Sequence, residues 1–129
     1  MKEIDCPCCS GKSYAQCCAP LHEGGYADSC LSLMRSRYSA YALGKVAYII
    51  RTTHPANPNY TKNHKKWTKD LLHFCQTTTF EKLEILESTP NTVTFVAHLR
   101  QNGEIHLMQE KSYFLKEGAQ WLYLSGQLT

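Results

Sequence analysis

The spacing of apolar positions predicts helices in the first half of the chain. Between Ser29 and Gly44, apolar side chains recur three or four positions apart, which is the repeat of one helix face. Asp28 or Ser29 can cap this helix at its start, and Gly44 can end it. Two further helices are predicted over 46–51 and 63–74. The apolar face of the first helix consists of Leu31, Met34, Tyr38, Tyr41 and Ala42.

The second half of the chain changes to an alternating pattern that predicts strands. Apolar and polar residues alternate over 80–87, 92–100, 104–116 and 120–125. Asn102-Gly103 favours a type I′ hairpin turn between the second and third strands. The third strand is long for a small domain, so we expect a bulge that bends it.

This order of elements predicts an α+β fold. Three helices precede a four-strand antiparallel meander, and such helices cover one face of the sheet. A curved sheet under helices leaves a concave interior, which is a candidate pocket.

Composition limits the class of protein. With 129 residues, 43% of them hydrophobic, the chain can fill one core. A formal charge of +3 is too small for a strong long-range attraction to nucleic acid. There is neither an apolar run of membrane length nor the apolar segment of a signal peptide, so we expect a cytoplasmic protein in a reducing compartment.

Cysteines are concentrated at the N-terminus. Five of the seven lie within residues 6–18. In a reducing compartment such a cluster indicates metal or redox chemistry. Zinc takes four soft thiolate ligands, and the cluster offers five. The Cys-x-x-Cys spacing of redox catalysts also occurs here, but the strand–helix context that activates such a thiol is missing.

Specific motifs give the chain a family resemblance. Residues 6–18 resemble the SEC-C motif, a zinc-binding module also found at the tail of the bacterial preprotein translocase ATPase, where it serves protein contact. Nearly the whole chain resembles the YchJ-like bacterial proteins. The matching strings are Cys6-Pro7-Cys8-x-Ser10-Gly11-Lys12-x-Tyr14-x-x-Cys17-Cys18, then Leu33-Met34-Arg35-Ser36-Arg37-Tyr38-Ser39-Ala40-Tyr41, Thr53-His54-Pro55, Glu110-x-Ser112-x-Phe114 and Gly118-x-x-Trp121-x-Tyr123.

The resemblance implies a body like nuclear transport factor two (NTF2), with a cone-shaped interior, and a short N-terminal zinc knuckle. It divides the chain into a zinc-binding motif and connector over 1–27 and an NTF2-like domain over 28–129. It implies the zinc ligands Cys6, Cys8, Cys17 and Cys18. Cys9 stands where the motif usually has glycine, and replacement of one ligand by Cys9 or His22 stays open.

Several polar residues are candidates for the cone. An arginine beside tyrosines can hold an anionic ligand, and an acid or histidine can act on a substrate. The plainer interpretation makes the tyrosines core residues and the arginines structural. The candidates are Arg35, Arg37, Tyr38, Tyr41, His54, His98, Glu110 and Ser112.

These observations lead to one principal functional hypothesis and two alternatives. The principal one is a zinc-binding, non-catalytic module that contacts a protein partner. The first alternative is a small-molecule binder or a lyase- or isomerase-like enzyme that uses the cone. The second is association with RNA or the ribosome through a basic helix face formed by Lys62, Lys65, Lys66 and Lys69.

Overall fold

Helices come first in the computed structural model, which describes residues 4–129. A short 3-10 helix, Tyr14–Gln16, precedes α1, Ala19–His22. The longer helices are α2, Cys30–Leu43; α3, Val46–Arg51; and α4, His64–Thr77. No helix within 4–129 is long and apolar enough to cross a membrane.

A four-stranded antiparallel sheet follows. Its strands are β1, Thr79–Ser88; β2, Thr92–Gln101; β3, Glu104–Glu117; and β4, Gln120–Leu128. They pair in the order β1-β2-β3-β4, as the meander predicted. A bulge occurs in the pairing of β3 with β4, but its extra residue belongs to β4 and not to the long strand β3. Tyr113 and Phe114 pair with Ser125 and Tyr123, which leaves Leu124 unpaired.

The predicted turns and caps are confirmed. Asn102 and Gly103 have φ values of 52° and 80°, which a type I′ turn requires. The Ser29 hydroxyl accepts a hydrogen bond from the Ser32 amide at 3.1 Å and caps α2. Gly44 ends α2 with a φ of 73°.

Helix α2 is buried on more sides than its apolar pattern predicts. Met34 and Tyr38 face the sheet in the main core. Ser36, Ser39 and Ala40, on the opposite side of the helix, are also fully buried. Small side chains there let other chain segments approach closely. One of these is the N-terminal segment, which includes α1. The prolines and glycines of 19–27 predicted a connector without regular structure, and α1 corrects this prediction. Pro20 lies in the first turn of the helix, where proline is tolerated, and the glycines come only after His22.

The end of α3 is fastened to the edge of the sheet. The Tyr123 amide of β4 donates to the carbonyl of Thr52 at 2.8 Å, and the His54 amide donates to the carbonyl of Tyr123 at 2.9 Å. These bonds cover part of the β4 edge. They also fix the loop that follows α3 beside β4.

Substitution of Gly44 tests the end of α2. No atom lies within 4 Å of a Cβ added at this position, so only the left-handed backbone opposes a side chain. We expect Gly44→Ala to lower the free energy of unfolding by about 1 kcal/mol. Gly44→Asn should lower it less, because asparagine tolerates this conformation. Urea unfolding measures the free energy of unfolding of both variants. Equal decreases for Gly44→Ala and Gly44→Asn would contradict this prediction.

Candidate functional site

Four cysteine sulfurs lie together at the N-terminus. The Sγ atoms of Cys6, Cys8, Cys17 and Cys18 are all within 4.8 Å of one another. The Cys8–Cys17 and Cys17–Cys18 sulfur distances are 3.6 and 3.8 Å. Four sulfurs placed tetrahedrally at 2.3 Å from zinc would be about 3.8 Å apart. The donor set and its spacing therefore fit a metal ion of this size.

Local backbone structure brings the four thiols together. Asp5 forms an isolated bridge with Ser13, which closes a small loop that carries Cys6 and Cys8. Within this loop the Cys9 amide donates to the carbonyl of Cys6 at 3.1 Å. The 3-10 helix then returns the chain so that Cys17 and Cys18 face the loop. We call residues 5–23 the knuckle.

Burial and hydrogen bonding act on the thiols in opposite directions. Hydrogen bonds, chiefly from Cys18, hold the pKa of Cys8 well below its usual range. The same hydrogen bond, together with burial, raises the pKa of Cys18, and burial raises that of Cys6 to about 11. Several thiolates cannot share this space without a cation. The chemistry of the cluster thus favours a bound metal.

The two alternative ligands lie outside the cluster. Cys9 is exposed with a φ of 64°, and its sulfur lies 3.6 Å from the carbonyl of Pro7. The Nε2 atom of His22 donates to the carbonyl of Ser36 at 2.8 Å, and its Nδ1 accepts from the Tyr14 hydroxyl at 2.7 Å. Burial lowers the pKa of His22, which favours this neutral ring. Neither nitrogen is free to bind a metal.

Polar contacts hold the knuckle against the body. Arg35 on α2 donates from Nη1 to the carbonyl of Cys8 at 2.8 Å. Arg51 on α3 donates to the carbonyl of Leu21 at 3.0 Å. Together with the bond from His22 to α2, these contacts fix the knuckle relative to both helices.

A cavity of about 250 Å³ lies between the helices and the concave face of the sheet, and we call it the inner chamber. Most of its walls are apolar and aromatic. It is lined by Met34, Arg37, Tyr38, Tyr41, Phe74, Phe80, Phe95, Ala97, Leu99, Met108, Glu110, Ser112, Phe114 and Tyr123.

One carboxylate forms the polar corner of this chamber. Oε2 of Glu110 accepts hydrogen bonds from the hydroxyls of Ser112 at 2.6 Å and Tyr123 at 3.1 Å. Burial, followed by the charge of Glu110, raises the pKa of Tyr123, so its phenol keeps the donated proton. Gly126 leaves the space for this group, because an added Cβ would overlap both Glu110 and Tyr123.

The structure brings Tyr38, Tyr41 and Glu110 together in the inner chamber, but three other predicted pocket residues lie elsewhere. Arg35 contacts the knuckle, because it lies about 200° around the helix from Arg37. His54 accepts from the Ala56 amide at 2.9 Å and donates to Glu117 at 3.3 Å, outside the cone.

His98 is the third of these residues. It lies on the convex face of β2 and bonds Glu84 at 3.1 Å. The alternation along this strand places Ala97 and Leu99 inward and therefore His98 outward. This alternation is visible in the sequence, and it alone predicts that His98 points away from the cone.

Sequence analysis did not single out Tyr123 or Gly126 as site residues. Tyr123 pairs across β3 and β4 with Phe114, an inward-facing residue of the core. That register depends on the bulge at Leu124 in β4, whose position is not evident from the alternation. No sequence pattern marks Gly126, because its role depends on contact in the folded chain with Glu110 and Tyr123.

The fold and the site together define a class: an NTF2-like body with an attached cysteine cluster. A family model described as "YchJ, middle NTF2-like domain" matches residues 29–126. A UPF0225 protein of Deinococcus radiodurans is 36% identical over 121 residues, which cover 92% of this chain and 85% of the relative. The chain therefore belongs to the YchJ family, as its motifs predicted.

Solved structures agree with this assignment. A SEC-C motif containing protein from Rhodopseudomonas palustris matches with a TM-score of 0.80 and 31% identity, covering 98% of this chain and 99% of that one. A SEC-C motif containing protein from Psychrobacter arcticus matches with a TM-score of 0.74 and 27% identity, covering 96% and 82%. These matches confirm the predicted fold class.

Serine substitutions test the geometry of the cysteine cluster. We expect Cys8→Ser to lose the bound metal, because a hydroxyl replaces a buried thiolate ligand. Cys9→Ser should keep it, since Cys9 lies outside the cluster. Native mass spectrometry of the purified variants counts the metal. Metal loss from Cys9→Ser would show that the four-sulfur arrangement is not the binding set.

Gly126→Ala tests the polar corner of the inner chamber. The added methyl group should displace Glu110 from Tyr123 and lower the free energy of unfolding by about 1–3 kcal/mol. In a Glu110→Ala background, Gly126→Ala should lower the free energy of unfolding by less, because the Glu110 carboxyl group, which lies nearest to the added methyl group, is absent. Urea unfolding of the four proteins gives this difference. An unchanged cost in the double variant would contradict the contact.

Proposed function

We propose that this protein binds one zinc ion through Cys6, Cys8, Cys17 and Cys18, and that the zinc is structural. The observation that supports this most directly is the closeness of the four sulfurs, within 4.8 Å. Four thiolates fill a tetrahedral zinc shell and leave no position for water or a substrate. Zinc would therefore supply folding energy to the knuckle and no Lewis-acid chemistry.

The proposal treats residues 1–27 as a zinc-binding motif with its connector, attached to an NTF2-like domain over 28–129. Arg35 and His22 support a fixed attachment, because each spans the boundary with a 2.8 Å hydrogen bond. A reducing, cytoplasmic location suits this arrangement, since free thiols persist there.

The second part of the proposal is that the knuckle contacts a protein partner. Ile4, next to the knuckle, and Tyr26, just after it, are 61% and 63% exposed. Aromatic and aliphatic side chains of this kind are typical anchors at protein interfaces. The SEC-C resemblance supports the same role, because that module serves protein contact in the translocase ATPase.

Partner capture with matched variants tests this function. The wild-type protein and Cys9→Ser should capture the same bacterial protein, whereas the Cys17→Ser/Cys18→Ser double variant should capture none. Tyr26→Ser should keep zinc and weaken capture, because it removes an exposed anchor. Affinity purification with quantitative mass spectrometry measures the amounts.

Two results would contradict the proposal. Zinc-free protein that captures the partner as well as wild type would separate binding from the metal. Absence of zinc from freshly purified wild type would remove the structural role itself. Circular dichroism of each variant checks that the sheet is intact.

A second candidate function is small-molecule binding in the inner chamber. The specific observation is the polar group of Glu110, Ser112 and Tyr123 at one corner of a largely apolar cavity. Ligand sites combine apolar walls with a few placed polar groups in this way. An enzyme of the lyase or isomerase kind would use Glu110 as its acid or base.

A further inference from the structure

Arg37 is a buried cation without a nearby counter-charge. It is 7% exposed, and within residues 4–129 no carboxylate oxygen lies within 4.0 Å of its guanidinium. Buried charges in proteins are normally paired, because the loss of water is costly. Its environment therefore points to a partner other than a protein carboxylate.

The hydrogen bonds of Arg37 use one nitrogen. Nη1 donates to the Ile49 carbonyl at 3.0 Å and to the hydroxyls of Thr52 and Thr53 at 2.7 and 3.2 Å. These bonds hold the end of α3. In the described part of the chain, Nε and Nη2 donate to no protein atom, which leaves one edge of the planar guanidinium for a ligand.

A second, more polar cavity of about 470 Å³ adjoins the inner chamber, and we call it the outer chamber. Arg37, Tyr41 and Tyr123 line both cavities, so the guanidinium lies where they meet. Asn59, Thr61 and Lys66 are among the polar groups of the outer chamber. Its lining also contains Asp70, but that carboxylate is 3.1 Å from Lys66 and paired with it.

Tyr123 separates the two charges of the inner chamber. The Arg37 guanidinium lies 4.6 Å from the centre of the Tyr123 ring, while the Tyr123 hydroxyl donates to Glu110 at 3.1 Å. Glu110 lines only the inner chamber. An anionic group that enters from the outer chamber therefore meets Arg37 and avoids the carboxylate.

We propose that Arg37 binds the carboxylate of a small organic acid whose apolar body extends into the inner chamber. This inference rests on the second candidate function and names its ligand class. A cavity of about 150 Å³ holds benzene, so the inner chamber has room for one aromatic ring and a short chain. A planar guanidinium pairs well with a carboxylate, because two N–H groups can match its two oxygens.

A matched pair of probes tests the proposal on the wild-type protein. 3-Phenylpropionate and 3-phenylpropanamide have nearly the same shape, but only the first is charged. We expect the acid to bind at least about tenfold more tightly, because charge-assisted hydrogen bonds are stronger. Calorimetry measures both affinities, and the Arg37 Nε–H signal in NMR should shift with the acid alone.

Each other outcome overturns the proposal. Equal binding of the acid and the amide would support a small-molecule site in the cavity but contradict a carboxylate site at Arg37. Binding of the acid without a shift at Arg37 would place the charge elsewhere. Binding of neither probe would reject the ligand class proposed here, while a structural zinc and a protein partner would be unaffected.

Variants separate the two halves of the ligand. Ala97→Leu narrows the inner chamber without touching Arg37, so it should weaken 3-phenylpropionate binding at least about tenfold. Val96→Leu, on the convex face of the same strand, is its control and should bind as wild type. Retained binding in a folded Ala97→Leu protein would contradict the placement of the apolar body.

Arg37→Lys keeps a positive charge but removes the planar fork. It should reduce the preference for acid over amide, and a preference equal to wild type would contradict the pairing. Because Arg37 also holds the end of α3, thermal unfolding must first show that this variant is folded.

Discussion

The crowding of four cysteine sulfurs within 4.8 Å is the constraint on which the N-terminal part of the structure depends. The knuckle has little apolar core of its own, since its buried hydrophobic cluster consists of the cysteines and Tyr14. Segments this small need a metal or a cross-link to hold one conformation. A bound cation would neutralise the thiolates and fix the loop that Arg35 contacts.

Helix α2 connects this centre to the interior of the cone. Arg35 and Arg37 are two positions apart, yet they project to nearly opposite sides of the helix. Arg35 donates to the carbonyl of Cys8 in the cysteine loop, while Arg37 lines both chambers. A single rigid element thus positions both sites, and the small residues on its covered side allow the knuckle to lie close.

Much of the fold was predictable from local sequence signals. The caps of α2, the Asn102-Gly103 turn and the alternating strands each have a local physical cause, and the structure contains all of them. A bulge was expected in β3 because of the length of that strand, but the extra residue is Leu124 of β4. The burial of Ser36 and Ser39 was not predicted, because polar side chains on a helix become buried only when a distant segment of the chain covers them.

The two candidate sites differed in how far the sequence predicted them. The cysteine cluster was identifiable because its ligands are close in sequence and chemically distinctive. The inner chamber was harder to predict, since the residues that line it come from α2, α4 and the sheet. The directions of their side chains depend on the rotation of the helices and the register of the strands. Arg37 and Tyr123 matter because of what surrounds them, and that arrangement is a property of the folded chain.

Zinc K-edge X-ray absorption on the purified wild-type protein tests the central claim most directly. A structural site made by the four cysteines predicts a first shell of sulfur alone, at a zinc–sulfur distance of about 2.3 Å. A first shell that contains nitrogen or oxygen would show that a histidine or water takes part and would contradict the closed four-thiolate site. Absence of a zinc edge would contradict the metal centre itself.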